Sequence, residues 1–297
     1  MNVFLSTGAL QSRDLDEILV ACRTHGYTHI EFSSGVAYCP AAAELVVQAS
    51  ELGPRLIHNY FPAPRESFVL NLADADPQNL CLSLDLCQRA IDLSASVNAP
   101  FYSVHSGFVL PLAPEELGRP DAQAGFGDIS DAHYEEAYHR FLESVSFLAQ
   151  YARAKNVRLL LENNVVTPQN VTDGSSRHFL LVTAEDFTRF FEDIEQDNVG
   201  ILLDIGHLAV AAASLGFEAE AFVETHRERI EAIHLSENDG QADQNLPLTD
   251  ANWFLPYLPQ FADRTLVLEA YGLTPAEIEE QLDRIHHNIR KGMEAVA

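Results

Sequence analysis

Four short apolar runs in this chain each close on an acid or an imidazole. VRLLLEN carries Glu162, VGILLDIGH carries Asp204, IEAIHLSEND carries His234 and TLVLEAYG carries Glu269. Each run has the length and Val/Ile/Leu content of a strand buried on both faces, and each turns polar where a strand should stop. The four residues stand 42, 30 and 35 positions apart, room each time for one strand, one helix and two loops. In a closed parallel barrel, successive strands end on the same mouth, so the pattern predicts that these four groups converge there.

The rest of the chain continues the alternation. Strand-like runs near 2–6, 27–32, 55–60 and 101–105 join those at 157–162, 199–204, 230–236 and 265–270, and eight is the count for a (β/α)8 TIM barrel. Between them lie stretches with helical period, such as Leu15, Ile18, Leu19 and Cys22, or Phe141, Val145, Leu148 and Ala149. Asp14 and Thr183 stand where helix N-caps are expected, and Glu185 and Asp186 place negative charge in the turn after Thr183. No linker, repeat or charge block interrupts the alternation, so one domain is expected over 1–297. Three connections, 61–76, 106–130 and 163–183, follow strands and exceed what a strand-to-helix loop needs. They are expected to cover the same mouth.

With 18 Lys and Arg against 44 Asp and Glu, the formal net charge is −26. Such a charge repels phosphate backbones and anionic bilayers, so neither nucleic acid nor a membrane is an expected partner. The four cysteines, Cys22, Cys39, Cys81 and Cys87, form no CxxC pair and read as small core residues of a protein in a reducing compartment. The N-terminal MNVFLSTGALQSRDLDE lacks a basic leader followed by an apolar stretch, and no segment reaches about 18 uninterrupted apolar residues. A cytoplasmic location is expected, and a homo-oligomer is compatible with all of this.

Two Glu, one Asp and one His make a mixed oxygen and nitrogen set, suited to one divalent ion among Mn, Mg, Co and Zn and unsuited to copper(I) or iron–sulfur chemistry. Three carboxylates buried at one mouth without a cation would cost several kcal/mol per unpaired charge. Pairing with Arg or Lys would also answer that cost, but the strand ends carry almost no basic residues. Further candidates align behind the four. His58 and His105 end the third and fourth strands, Glu31 ends the second, and His207 follows Asp204 by three residues. His58 and His105 suit either substrate contact or a metal. The remaining histidines, His25, His29, His133, His139, His178, His226, His286 and His287, are expected in solvent.

The segments LLLENN, LLDIGH, IHLSENDG and VLEAYG, in that order, resemble the xylose-isomerase-like barrel superfamily, which groups sugar isomerases and epimerases with inosose dehydratases and endonuclease IV-type enzymes. The resemblance implies that Glu162, Asp204, His234 and Glu269 match the metal-binding quartet of the ketose epimerases. It also implies that Glu162 and Glu269 are the acid/base pair, and that His207 contacts substrate. His105, His58, Glu31 and Glu237 are assigned beside it as substrate-binding residues. The implied activity is a divalent-metal-dependent isomerase or epimerase of a sugar or sugar phosphate, moving a proton through an enediolate with the cation as Lewis acid. The alternatives are an inosose-dehydratase-like lyase, an endonuclease IV-like phosphodiesterase using His58 and His105 as well, and a non-catalytic sugar-binding protein. One departure counts against the nuclease. After IHLSENDG the chain reads QADQNLPLTD, with Asp243 present but Asn245 where many relatives carry a His, and an amide binds Zn²⁺ more weakly than imidazole. No Gly-rich phosphate cradle is found, which leaves Arg65, Arg119 and Arg177 in the long loops as anion-binding candidates.

Overall fold

A computed structural model describes residues 3–110, 112–116, 129–171 and 177–296. Eight strands run in chain order around a closed barrel, each parallel to its neighbours. They are β1 (Val3–Ser6), β2 (Ile30–Phe32), β3 (Arg55–His58), β4 (Phe101–His105), β5 (Arg158–Glu162), β6 (Val199–Asp204), β7 (Ile230–Leu235) and β8 (Thr265–Leu268). All eight expected strands are present. Several are shorter than the apolar pattern suggests: β2 loses residues 27–29 because His29 adopts a left-handed φ of 67°, and Glu269 lies one residue past the end of β8.

The strands are largely apolar because both faces are covered. One face of each strand fills the barrel interior and the other meets the surrounding helices. Those helices are α1 (Leu15–His25), α2 (Ala42–Gln48), α3 (Pro77–Ser96), α4 (Asp131–Arg153), α5 (Ala184–Asp193), α6 (Ile205–Leu215), α7 (Ala219–His226) and α8 (Pro275–Val296). Leu15, Ile18, Leu19 and Cys22 of α1 are buried on one stripe, as are Phe141, Val145, Leu148 and Ala149 of α4. Asp14 caps α1 by accepting from the N–H groups of Asp16 and Glu17, and Gly26 ends it with a φ of 70°. Thr183 caps α5 in a reciprocal box in which Asp186 reaches back to the Thr183 N–H.

Two expectations about burial are corrected. Cys81 is exposed and Cys39 half-buried, so only Cys22 and Cys87 serve the core. His226 is buried and its Nε2 donates to the Ala184 carbonyl at 2.8 Å, and His178 is buried as well. A polar ring is tolerated inside when one nitrogen finds a backbone acceptor, and nothing in the local pattern of residues announces that acceptor.

Register decides what meets at the mouth. His105 of β4 lies beside Glu162 of β5, and Asp204 of β6 beside His234 of β7. The turn from β6 into α6 is tight: a Cβ at Gly206 would fall 2.5 Å from Ser236 Oγ and 2.7 Å from Asn238 Nδ2. Only glycine lets α6 start that close to the β7 loop, and this start brings His207 back over Asp204.

Candidate active site

Side chains alternate along a strand, so the four strand-end groups reach one point because each register places its reactive residue inward. Glu162, Asp204, His234 and Glu269 are all buried, and one ligand atom from each lies within 4.8 Å of every other. Ligands roughly 2.0–2.2 Å from a common ion cannot be more than about 4.4 Å apart. The quartet therefore stands close to the spacing that a common ion requires.

Three buried atoms of the quartet make no hydrogen bond: Glu162 Oε2, Asp204 Oδ2 and His234 Nδ1. His234 Nδ1 sits 2.6 Å from Glu269 Oε2, yet out of line for donation. Unpartnered polar atoms at zero exposure are costly, and a divalent cation satisfies all of them at once. Among the described residues, no Lys or Arg pairs with these carboxylates; their ionic neighbours are all histidines. The donor set fits a metal.

The other ring nitrogen of His234 is 3.1 Å from Oε2 of Glu31, which is itself fully buried on β2. Asp204 does double duty: Oδ1 accepts from the His207 N–H at 2.8 Å as the N-cap of α6, which leaves Oδ2 for the quartet. Asn163 holds that strand end from the side, with Oδ1 accepting from the Asp204 N–H at 2.8 Å and Nδ2 donating to the Asp204 carbonyl at 3.0 Å. Asn163 is absent from the sequence-based candidates. The signal for it is the second polar residue in LLLENN, one position beyond a candidate ligand.

Three further imidazoles surround Glu162. His58 Nε2 lies 3.4 Å and His105 Nε2 3.2 Å from Oε2, and His207 Nδ1 lies 3.3 Å from Oε1. His58 Nδ1 meets Ser103 Oγ at 3.0 Å. His207 Nδ1 is 3.1 Å from the Asn163 carbonyl, an acceptor that fixes the proton on that nitrogen. Its Nε2 faces Asp243 Oδ2 at 3.3 Å. Asn245 donates its amide N–H to Asp243 Oδ1 at 3.1 Å, and Asn238 contributes a second amide contact at 3.4 Å. Asn245 thus orients Asp243. Glu237 is not in the cluster: its Oε2 accepts from the Thr249 N–H at 2.6 Å, and it bridges to Leu246 in the β7 loop.

Left to the protein's own charges, the acids separate sharply. Burial raises Glu269 to about 8, only partly opposed by His234. Burial also raises Asp204. Glu162 suffers the same desolvation, but the imidazoles of His105 and His58 hold it well below the usual carboxylate range. His58 is pushed down to about 4 by burial, against the pull of Glu162 and Glu31. Burial would also lower His234, but the Glu269 and Glu31 carboxylates raise it well above an ordinary imidazole.

The cluster opens into a cavity of about 440 Å³. His105, His207 and Asp243 form its floor, and Tyr60 together with residues of the three long post-strand loops, among them Phe68, Phe108 and Phe179, forms its walls. The parts of those loops at 111, 117–128 and 172–176, with Arg119, lie outside the described residues. The other two anion candidates are elsewhere. Arg177 pairs with Asp131 beside a separate groove, and exposed Arg65 lines a groove between α2 and α3.

The sequence matches the xylose isomerase-like TIM barrel family over residues 19–289. The chain belongs to that family. Solved structures of similar architecture include a D-tagatose 3-epimerase-like protein, 17% identical with a TM-score of 0.73, each chain covered over 100% of its length. An L-ribulose 3-epimerase is 16% identical with a TM-score of 0.70, covering 99% of this chain and 96% of its own. A protein from Thermus thermophilus, in crystals soaked with zinc chloride, is 20% identical with a TM-score of 0.63 over 98% of both chains. At these identities the likeness is one of fold. No curated protein matches the chain by sequence. Among the described residues of this xylose isomerase-like barrel, no helix is long and apolar enough to cross a membrane.

Proposed function

We propose that the chain is a divalent-metal-dependent isomerase or epimerase of a sugar or sugar derivative. One observation carries this reading: a buried Glu–Asp–His–Glu quartet, three of whose atoms lack any partner, directly behind His105 and His207, which line a cavity of substrate size. Glu162, Asp204, His234 and Glu269 would hold one Mn, Mg, Co or Zn ion. When bound, the ion supplies Lewis-acid polarisation of a carbonyl and its neighbouring hydroxyl.

The remaining chemistry belongs to the chain. Glu162 stands on β5 and Glu269 just beyond β8, so their carboxylates approach a substrate from different sides of the mouth. One would take the proton from the carbon next to the carbonyl, and the other, or the same one, would return it. His207 and His105 reach the cavity floor, where their ring nitrogens would orient hydroxyls. His207 is held for that task by the Asn163 carbonyl and Asp243. The loops walling the cavity would keep water from the enediolate. Incubation in D₂O with a panel of ketoses tests the reading: deuterium should enter the α-carbon of a substrate, and isomerisation without any exchange would point to hydride transfer.

Glu31 would act through His234. A carboxylate on the second nitrogen of a ligating imidazole fixes its tautomer and raises its basicity, an effect worth about 10–100-fold in metal affinity. Glu31→Gln should therefore weaken the metal by about that factor in a competitive chelator titration. Unchanged affinity would leave Glu31 as a folding residue only.

A second reading has one observation in its favour. His58, His105 and Glu162 form another group able to hold a metal, as a phosphodiesterase with several ions would require. Two features oppose it. Asn245 supplies an amide, already engaged with Asp243, and a net charge of −26 opposes the approach of a polyanion. No incision of an abasic-site duplex is expected at low salt with added Zn²⁺ or Mn²⁺. Robust incision lost in His58→Ala or His105→Ala would replace the sugar reading with the nuclease.

A further inference from the structure

The cavity that His105, His207 and Asp243 line is divided in its chemistry. All of its charged lining sits on the floor, at His105, His207 and Asp243, and among the described residues no Lys or Arg lines it. Phosphate and carboxylate groups are recognised by such cations, above all by the fork of an Arg. The wall is aromatic and aliphatic. Phe108 meets Phe179 edge to face with ring centroids 5.7 Å apart across an isolated bridge between their two loops. Tyr60 meets Phe68 in the same manner at 5.3 Å.

The polar groups of that wall are largely committed to holding its shape. The Tyr60 hydroxyl accepts from the Phe68 N–H at 2.8 Å, and Asn59 Nδ2 donates to Ser34 Oγ at 3.0 Å. Asn164 Nδ2 is shared between the Gly107 and Leu180 carbonyls. A bare sugar asks for a partner at nearly every hydroxyl, because leaving a donor or acceptor buried and unmet costs about 1–3 kcal/mol. The floor can meet the hydroxyls near the reacting carbon. The wall offers mainly ring faces and edges, and the exposed part of Phe68, Phe108 and Tyr60 is in place to receive an apolar group.

We propose that the substrate is a keto-sugar derivative carrying an apolar, preferably aromatic, substituent, which seats against Tyr60, Phe68 and Phe108 while the sugar ring lies on the histidine floor. This rests on the function proposed above and narrows it to a substrate class. The continuity of wall and floor within one cavity ties the apolar occupant to the reacting sugar, and not to a separate partner.

The test holds the reacting ketone constant. Glucose oxidised to the ketone at C3, its 6-phosphate and its phenyl glycoside are compared on the Mn²⁺-loaded protein by calorimetric binding and by deuterium uptake at C2 or C4. Edge-to-face and stacking contacts contribute about 0.5–1.5 kcal/mol beyond buried area, so the phenyl glycoside should bind roughly tenfold tighter than the parent ketone. Phe108→Ala should erase that preference. Phe68→Ala, on a different loop, makes the same test should Phe108→Ala fail to fold. Equal or weaker binding of the phenyl glycoside, tighter binding of the phosphate, or no binding of any of the three overturns the proposal. A tenfold preference without deuterium uptake in any of the three sustains the subsite and instead counts against the isomerase reading.

Discussion

Asp204→Asn combined with His234→Gln should abolish both metal binding and turnover while leaving the barrel folded. The design separates the two roles of Asp204. Asparagine is as good an N-cap as aspartate, so the acceptor for the His207 N–H is retained while the charged ligand atom is lost. The wild-type protein should hold about one equivalent of Mn, Co, Zn or Mg by elemental analysis. Added ion at 100 times its dissociation constant should stabilise it by about 2.7 kcal/mol, a shift of several degrees in thermal unfolding. The double variant should show neither the ion nor the shift. Full activity of a rigorously metal-free wild type would remove the basis of the proposed function, because the three unpartnered buried atoms would then need another explanation.

The acid/base pair should reveal itself as a loss of turnover. Glu162→Gln and Glu269→Gln keep the size of each side chain and one oxygen able to face the ion, but neither amide can carry a proton between carbons. General acid–base help contributes about 10²–10⁴-fold. Each variant should lose about that much in kcat, with a much smaller change in KM and with metal content measured alongside. A parallel fall in metal content and rate would mark the glutamate as a ligand only. Glu162 is the more informative of the two, because three histidines surround it. Its replacement should also relax His58 and His105, a change visible in the imidazole NMR signals even where no turnover remains.

Much of this was legible in one dimension. Apolar runs of strand length at barrel spacing specified eight parallel strands, because a strand covered on both faces must be apolar at nearly every position. The polar break that ends each run marked Glu162, Asp204, His234 and Glu269, since a closed parallel barrel leaves a strand end few other places to go. Asp14 and Thr183 announced their helices through capping chemistry that is local in the chain.

What tertiary structure alone decided concerns groups distant in sequence. A strand-end position suggests a substrate contact for Glu31, which instead meets His234, 203 residues away, inside the barrel. Glu237, next to the same motif as His234, is drawn off by the Thr249 N–H. Asn163 looks like an ordinary loop amide until the register sets it astride Asp204, and the sequence marks Asn245 only as a missing imidazole, not as the amide that holds Asp243. His226 and His178 are buried for reasons no local pattern contains. Period, capping and strand termination act over a few residues and are written in the order of the chain. Partner choice for a buried polar atom depends on which loops close over it, and that is settled only when the barrel shuts.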